Sequence, residues 1–132
     1  MAEMTLVTVL VVDDQPDLRL LVRMLITAAN NGLHCASEVG SGEEAVAWFD
    51  ASSADVERLP TVVVLDQMMP GMTGIETARR ILSRRPDQRI VLFSAYVDEE
   101  LRRLARSVGI KACIDKRDFD LVVPTVRTVA AA

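Results

Sequence analysis

The sequence predicts an α/β fold, a doubly wound parallel sheet with helices on both of its faces. Short aliphatic runs alternate with longer stretches of helical periodicity, five times along the chain. The runs are almost continuously apolar, which is typical of strands that are buried on both faces of a parallel sheet. Strict alternation of strand and helix favours this architecture, and a length of 132 residues suits one domain.

The first two strand–helix units come before residue 50. The first strand is predicted at Leu6–Val12, and the helix after it ends near Gly32. That helix carries one apolar face, formed by Leu18, Leu21, Val22, Leu25, Ile26 and Ala29. A weaker apolar run, Leu33–Val39, gives the second strand. Ser41, three residues before Glu44, resembles a capping box and opens the second helix.

Three further units follow the same pattern. Their strands are predicted at Thr61–Leu65, Ile90–Phe93 and Ala112–Ile114. Helices are predicted at about Ile75–Arg85, from Asp98 to Gly109 and at the end of the chain. Pro124 belongs to the opening turn of the last helix, because a proline further inside the helix would remove a backbone hydrogen bond. The stretch Ala51–Pro60 is predicted to be a polar connection.

Composition and charge exclude several classes of protein. The formal net charge of −4 argues against a domain that binds nucleic acid through a basic face. The two cysteines, Cys35 and Cys113, lie inside apolar runs without CxxC spacing, so we expect small buried thiols in a reducing compartment. The N-terminal run is too short to span a bilayer and has no signal-peptide pattern. We therefore expect a cytoplasmic protein without a membrane segment.

Polar residues follow four of the five apolar runs. Asp13 and Asp14 follow the first, Asp66 the third, Ser94 the fourth and Lys116 the fifth. In a parallel sheet the carboxyl ends of the strands share one edge, and functional residues gather there beside the point where the strand order reverses. The sequence therefore predicts a site at this edge.

Three carboxylates at one edge repel each other unless a cation or a proton offsets their charge. A divalent ion with a preference for oxygen ligands, such as Mg²⁺, suits an acidic pocket better than zinc does. A nearby lysine and hydroxyl suit an anion that the metal also contacts. We therefore expect Mg²⁺ as the cofactor.

At these positions the chain resembles the receiver domain of two-component response regulators. The resemblance rests on four features in the family's order and spacing: the pair Asp13-Asp14, the block Asp66–Gly74, Ser94-Ala95, and Lys116 after Ile114-Asp115. It covers essentially the whole chain, and the four features together are highly specific. In three features the chain is most similar to receivers joined to LuxR-type helix-turn-helix output domains, the NarL/FixJ subfamily. These features are the run from Met69 to Arg80, the absence of a proline after Lys116 and the late Pro124.

The resemblance implies a flavodoxin-like sheet with strand order 2-1-3-4-5 and a phospho-acceptor at Asp66. Asp14, Asp66 and the main-chain carbonyl of Met68 would ligate Mg²⁺, and Asp13 would act largely through water. Lys116 and Ser94 would hold phosphoryl oxygens. This fits phosphoryl transfer, which needs positioning and charge neutralisation more than covalent help.

The resemblance also implies the partners and the limits of the activity. The phosphoryl group would come from a sensor histidine kinase or a histidine phosphotransfer protein, and the chain's own chemistry would be self-phosphorylation and autodephosphorylation. Residues 1–132 would form one receiver domain, with no output domain in this chain and no direct contact with nucleic acid. A homodimer through the face of helix 4, strand 5 and helix 5 is a further expectation.

Two positions depart from the family pattern. Cys113 occupies the aromatic switch position on the fifth strand, and Arg117 replaces the usual proline after Lys116. Both lie on the signalling side of the site, so the acceptor chemistry is expected to be intact. Because Cys113 departs from the family pattern, one alternative function is an interaction module that does not depend on phosphorylation.

The other alternative is a Mg²⁺-dependent aspartyl phosphatase. Such enzymes commonly have a second acid two residues after the nucleophile, and Met68 stands there instead. A nucleotide-binding Rossmann domain is disfavoured because no GxGxxG motif follows the first strand.

Overall fold

The fold is the predicted doubly wound α/β sheet. The computed structural model describes residues 6–52, 55 and 58–132. Five parallel strands lie in the order β2-β1-β3-β4-β5. The strands are β1 (Val7–Val12), β2 (Leu33–Val39), β3 (Val62–Leu65), β4 (Arg89–Ser94) and β5 (Ala112–Asp115). The helices are α1 (Pro16–Ala29), α2 (Gly42–Ser52), α3 (Gly74–Arg84), α4 (Glu99–Val108) and α5 (Val122–Ala131).

The strands bury both faces, as the continuous apolar runs indicate. Alternate residues of β1 and β3 point to opposite sides of the sheet because side chains alternate along a strand. Leu10, Val12, Val63 and Leu65 belong to a core with residues of α2, α3 and α4, whereas Val9, Val11, Val62 and Val64 belong to a core with residues of α1 and α5. The central strands are therefore held from both sides, and their carboxyl ends form a fixed edge.

The predicted ends of α3 and α4 are confirmed to within one residue, whereas α1 ends at Ala29, three residues before the predicted Gly32. Thr73 caps α3 by accepting a hydrogen bond from the Glu76 backbone N–H, and Asp98 caps α4 in the same way. Gly109 ends α4 in the left-handed conformation that favours glycine. The 3₁₀ helix at Lys116–Leu121, which joins β5 to α5, was not predicted.

The prediction for the two thiols was partly wrong. Cys35 and Cys113 are free, as expected, but each is only half-buried. Cys35 lies on β2, an edge strand of the sheet, and Cys113 lies on β5, the other edge strand. Edge strands have a neighbour on one side only, and this explains why an apolar run there does not bury every side chain.

Parts of two sequence predictions lie outside the described residues. These are residues 53–54 and 56–57 of the polar connection and residues 1–5 of the N-terminal run. Within the described part of the chain, no helix is both long enough and apolar enough to cross a membrane.

Candidate functional site at the carboxyl edge of the sheet

The three predicted carboxylates meet at one edge of the sheet. β1 and β3 are neighbours, with Val12 opposite Leu65, so the residues that follow them emerge side by side. Carboxylate oxygens of Asp13, Asp14 and Asp66 all lie within 4.8 Å of one another. This is the point where the strand order reverses, the position at which ligands bind in open α/β sheets.

Lys116, which directly follows β5, places its ammonium group against this acidic cluster. Its Nζ lies 2.9 Å from Asp13 Oδ2 and 3.4 Å from Asp66 Oδ1. The lysine side chain is 14% exposed, and those of Asp13 and Asp66 are 5% and 4% exposed. Water screens this triad weakly, so a single ammonium group is shared between two buried carboxylates.

The positive charge of Lys116 does not compensate the negative charge of the three carboxylates. Burial and the neighbouring Asp13 carboxylate raise the pKa of Asp66 from 3.8 to about 6, although the ion pair with Lys116 and the Met68 backbone N–H act in the opposite direction. Desolvation is the largest cause, and repulsion from Asp13 is the second. The pocket therefore retains an excess of negative charge that a further cation would relieve.

Ser94 lies where the sequence placed it, at the end of β4. It is 0% exposed, and its Oγ has no hydrogen-bond partner among the described residues. A buried hydroxyl without a partner costs about 1 to 3 kcal/mol. Such a group is suited to a ligand atom that arrives only in another state of the protein.

The loop after Asp66 is held by its own backbone and side chains. The Gly74 backbone N–H donates to the Gln67 carbonyl at 3.0 Å, and Gln67 Oε1 accepts from the Ile75 N–H at 2.8 Å. A Cβ on Gly74 would lie 2.3 Å from the carbonyl oxygen of Asp66, so only glycine allows α3 to begin this close to the acceptor residue. The glycine-rich block thus fixes the backbone on which Asp66 is mounted.

The methionines of this loop have different environments. Met69 is buried in the core, whereas Met68 is 68% exposed beside the acidic cluster. The Met68 backbone N–H donates to Asp66 Oδ1 at 3.4 Å, which ties this residue to the cluster through its main chain. Met68 is therefore the exposed apolar neighbour of the site.

The two departures from the family pattern lie on β5 and just after it. The carbonyl of Cys113 accepts a hydrogen bond from Arg102 Nη1 of α4 at 3.2 Å. Arg117 wraps around Asp115, which accepts from its backbone N–H at 2.9 Å, from Nε at 3.0 Å and from Nη2 at 3.1 Å. These hydrogen bonds from Arg117 hold the pKa of Asp115 at about 2. Asp115 and Arg117, the residues on either side of Lys116, are thus hydrogen-bonded to each other.

Sequence reasoning missed the residues that hold the acidic pair in place. Arg19 of α1 donates from Nη1 to the Asp13 carbonyl at 2.7 Å and from Nε to Glu38 Oε1 at 3.3 Å. The sequence does show an arginine one turn into the helix and a glutamate at the end of the second strand. Only the position of β2 beside β1 shows that they meet.

The donor set fits Mg²⁺. All the side chains that converge here are oxygen donors, apart from one lysine. Mg²⁺ favours carboxylates and retains several waters, so it needs few protein ligands. Three carboxylates face one ammonium group, so the cluster holds more negative charge than Lys116 offsets. Asp13, Asp14 and Asp66 are therefore suited to a small divalent ion.

Comparison with known proteins identifies relatives over almost the whole chain. The family model for the response regulator receiver domain matches residues 9–126. The chain is 36% identical over 124 residues to the transcriptional activator protein ExaE of Pseudomonas putida, an alignment that covers 93% of this chain and 55% of that protein. The chain spans about half the length of the curated relatives that it matches first.

Solved structures show the same fold. A two-component response regulator of the LuxR family from Aurantimonas matches with a TM-score of 0.85 and 24% identity, covering 96% of this chain and 86% of that one. The CheY chain in a CheX–CheY–BeF₃–Mg complex from Borrelia burgdorferi matches with a TM-score of 0.81 and 27% identity, covering 93% and 88%. The second structure was determined with a magnesium ion and a beryllofluoride group.

Proposed function

This chain belongs to the family of response regulator receiver domains of two-component systems, and we propose that it is a phosphorylation-dependent switch whose acceptor is Asp66. The observation that carries the proposal is the convergence of Asp13, Asp14 and Asp66 within 4.8 Å, with Lys116 against two of them. Its homologues are signalling proteins, so the proposed chemistry is limited to acceptance and loss of one phosphoryl group on the chain itself.

In the proposed reaction, a carboxylate oxygen of Asp66 attacks the phosphorus atom of a phosphohistidine. The new O–P bond forms as the P–N bond breaks, and the electron pair of that bond stays on the imidazole nitrogen of the donor. Asp66 must be ionised to attack, and its pKa of about 6 leaves it mostly ionised at neutral pH. A histidine kinase or a histidine phosphotransfer protein is the donor class.

The remaining side chains hold the transferred group. Lys116, already 3.4 Å from Asp66 Oδ1, would bind one phosphoryl oxygen. Ser94, whose buried Oγ has no partner among the described residues, would donate its hydroxyl to another. The new hydrogen bond would remove the cost of the unpaired hydroxyl.

Mg²⁺ would be held by Asp14, by Asp66 and by the main-chain carbonyl of Met68, with Asp13 acting largely through water. When bound, it neutralises the charge of the carboxylates and of the phosphoryl oxygens. Without a cation in the pocket, repulsion between Asp13 and Asp66 opposes the approach of a phosphoryl group.

The proposal extends to the partners and to the rest of the protein. The face formed by α4, β5 and α5 is the surface that we propose for a homodimer. Because the relative ExaE is a transcriptional activator, we propose that a receiver of this kind controls transcription through an output domain. A cytoplasmic location stays a prediction from the sequence.

Intact-mass analysis after incubation with acetyl phosphate and Mg²⁺ tests the proposal. We expect the mass to rise by one phosphoryl group, and we expect no rise in Asp66→Asn or after chelation of the metal. Asp120→Asn, the same substitution at an exposed position of the 3₁₀ helix, is the control and should be phosphorylated normally. A folded wild-type protein without any mass gain would favour the interaction module. Release of phosphate from a phosphomonoester would favour the phosphatase.

A further inference from the structure

Asp13 and Asp14 leave β1 in a short turn whose backbone is held from outside the site. We infer that Arg19 is a positioning residue that fixes this acidic pair, and so sets its affinity for a divalent cation, by bridging the Asp13 carbonyl to Glu38. The inference rests on the proposed function because it concerns the same acidic cluster. It adds a residue that does not itself contact the cation or the phosphoryl group.

The bridge begins at the carbonyl between the two acids. Arg19 Nη1 donates to the Asp13 carbonyl oxygen at 2.7 Å, a short charge-assisted hydrogen bond. That carbonyl belongs to the peptide group that joins Asp13 to Asp14, so its direction sets where the Asp14 side chain leaves the backbone. Fixing the carbonyl therefore restricts the positions that the two carboxylates can take relative to each other.

The other end of the bridge is anchored in the sheet. Arg19 Nε donates to Glu38 Oε1 at 3.3 Å, and Glu38 lies on β2 directly opposite Val11 of β1. The arginine side chain is 19% exposed and that of Glu38 is 27% exposed, so both groups are partly withdrawn from water. A planar guanidinium with several donors is suited to a bridge between two oxygens at fixed positions.

The turn has a second restraint that depends on the first. The Gln15 backbone N–H donates to Asp13 Oδ1 at 2.9 Å, which holds this carboxylate toward the start of α1. Asp13 Oδ2 remains available and accepts from Lys116 Nζ at 2.9 Å. If the Asp13 carbonyl turns away, both side-chain contacts lose their geometry.

Arg23 is a matched control within the same helix. Its Nη1 donates to Glu38 Oε2 at 2.8 Å, but it has no contact with Asp13 among those that the structure describes. Arg19→Gln and Arg23→Gln each remove one positive charge near Glu38. Only Arg19→Gln removes the bond to the turn that holds the acidic pair.

Electrostatics and positioning predict opposite signs for Arg19→Gln. Loss of a nearby positive charge strengthens the attraction of the acidic cluster for Mg²⁺. Loss of a group that orients metal ligands weakens metal affinity, by about tenfold at the low end of the range for such residues. The direction of the change in Mg²⁺ affinity therefore separates the two effects.

The test is calorimetric titration of MgCl₂ into the wild type, Arg19→Gln, Arg23→Gln and Asp14→Ala. We expect Arg19→Gln to bind Mg²⁺ about tenfold more weakly, and Arg23→Gln to bind as tightly as the wild type or slightly more tightly. Arg19→Lys keeps the charge but lacks the fork of donors, and its affinity should fall between those of the wild type and Arg19→Gln. Unchanged or tighter binding in Arg19→Gln, or equal weakening in Arg23→Gln, overturns the inference.

Amide hydrogen exchange provides a readout that needs no metal. In Arg19→Gln without Mg²⁺, we expect faster exchange of the Gln15 amide, whose acceptor is Asp13 Oδ1, and no such change in Arg23→Gln. If Arg19→Gln does not fold, Glu38→Ala releases the bridge at its other end, and the expected result is faster exchange of the Gln15 amide without Mg²⁺. Exchange is the readout for this variant because loss of the Glu38 charge would by itself weaken Mg²⁺ binding. A wild type that binds Mg²⁺ no better than Asp14→Ala contradicts the proposed metal site, whereas an unchanged Gln15 amide contradicts only the role of Arg19.

Discussion

Replacing Asp66 with asparagine should abolish phosphorylation and at the same time stabilise the metal-free protein. The Asp66 carboxylate is buried and lies beside Asp13, so its negative charge is unfavourable in the folded state. Asparagine has the same shape and keeps an oxygen that can accept from Lys116 and from the Met68 backbone N–H. It removes the charge without leaving a cavity.

The expected size of the effect follows from the pKa. The Asp66 carboxyl has an ordinary pKa of 3.8 and a pKa of about 6 in the folded protein. Between these values the folded protein binds more protons than the unfolded chain, so the free energy of unfolding falls as the pH rises. At about 1.36 kcal/mol per pH unit, the loss is complete near neutral pH and amounts to about 3 kcal/mol. The pKa of about 6 already includes the attraction of Lys116 for the ionised carboxylate, so the expected net stabilisation by Asp66→Asn is about 3 kcal/mol.

Urea denaturation with a chelator, at about pH 7.5 and again at about pH 4, measures the effect. Asp66→Asn should be more stable than the wild type at the higher pH and about equal to it at the lower pH, where the wild-type carboxyl is already protonated. Asp120→Asn, at an exposed position, should change stability little at either pH. Saturating Mg²⁺ should reduce the difference, because an ion that binds the wild type stabilises it. A destabilised Asp66→Asn at the higher pH, or equal stabilisation at both, would refute the reasoning.

Three further predictions concern other parts of the molecule. A phosphoryl mimic should change hydrogen exchange in residues 94–108 equally in the wild type and in Cys113→Ser. The reason is that the signal passes through the loop after Ser94 and not through an aromatic ring at residue 113. Unchanged exchange across residues 94–108 would contradict this. Arg117→Gln should raise the pKa of Asp115 from about 2, so that NMR titration shows the carboxyl protonating at higher pH. Ile81→Ala in α3, at a site that is 0% exposed, should lower the free energy of unfolding by about 2 to 5 kcal/mol in the same denaturation assay, whereas a smaller loss would mean that the core closes over the cavity.

Much of the site was predictable from the sequence because its chemistry follows the strands. A buried parallel strand has to be apolar along its length, so the first polar residue after it marks the edge of the sheet. That rule alone brought Asp13, Asp66 and Ser94 to the same edge, and it placed Lys116 one residue further along, after Asp115. The structure confirms the sheet order and brings Lys116 into contact with Asp13 and Asp66.

The remaining features depend on which strands are neighbours and on local hydrogen bonds that have no sequence period. The bridge from Arg19 to Glu38 requires β2 to lie beside β1, and the pattern of apolar residues does not encode that pairing. The 3₁₀ helix after β5 depends on the Asp115 side chain, which accepts from the backbone N–H of Arg117. An aspartate two residues before an arginine is too common a pattern to predict such a turn.

Arg117 does by hydrogen bonding what a proline does by covalent restraint. Proline fixes its own φ angle but has no backbone N–H, so it could not donate to Asp115 as Arg117 does at 2.9 Å. Two further guanidinium contacts at 3.0 and 3.1 Å close the turn around Lys116. The guanidinium contacts are electrostatic and the arginine side chain is 85% exposed, so salt weakens them, whereas the covalent restraint of a proline would not respond to salt. The pKa of Asp115, about 2, keeps its carboxylate ionised through the ordinary pH range, so the turn beside Lys116 is held in part by contacts that depend on ionic strength.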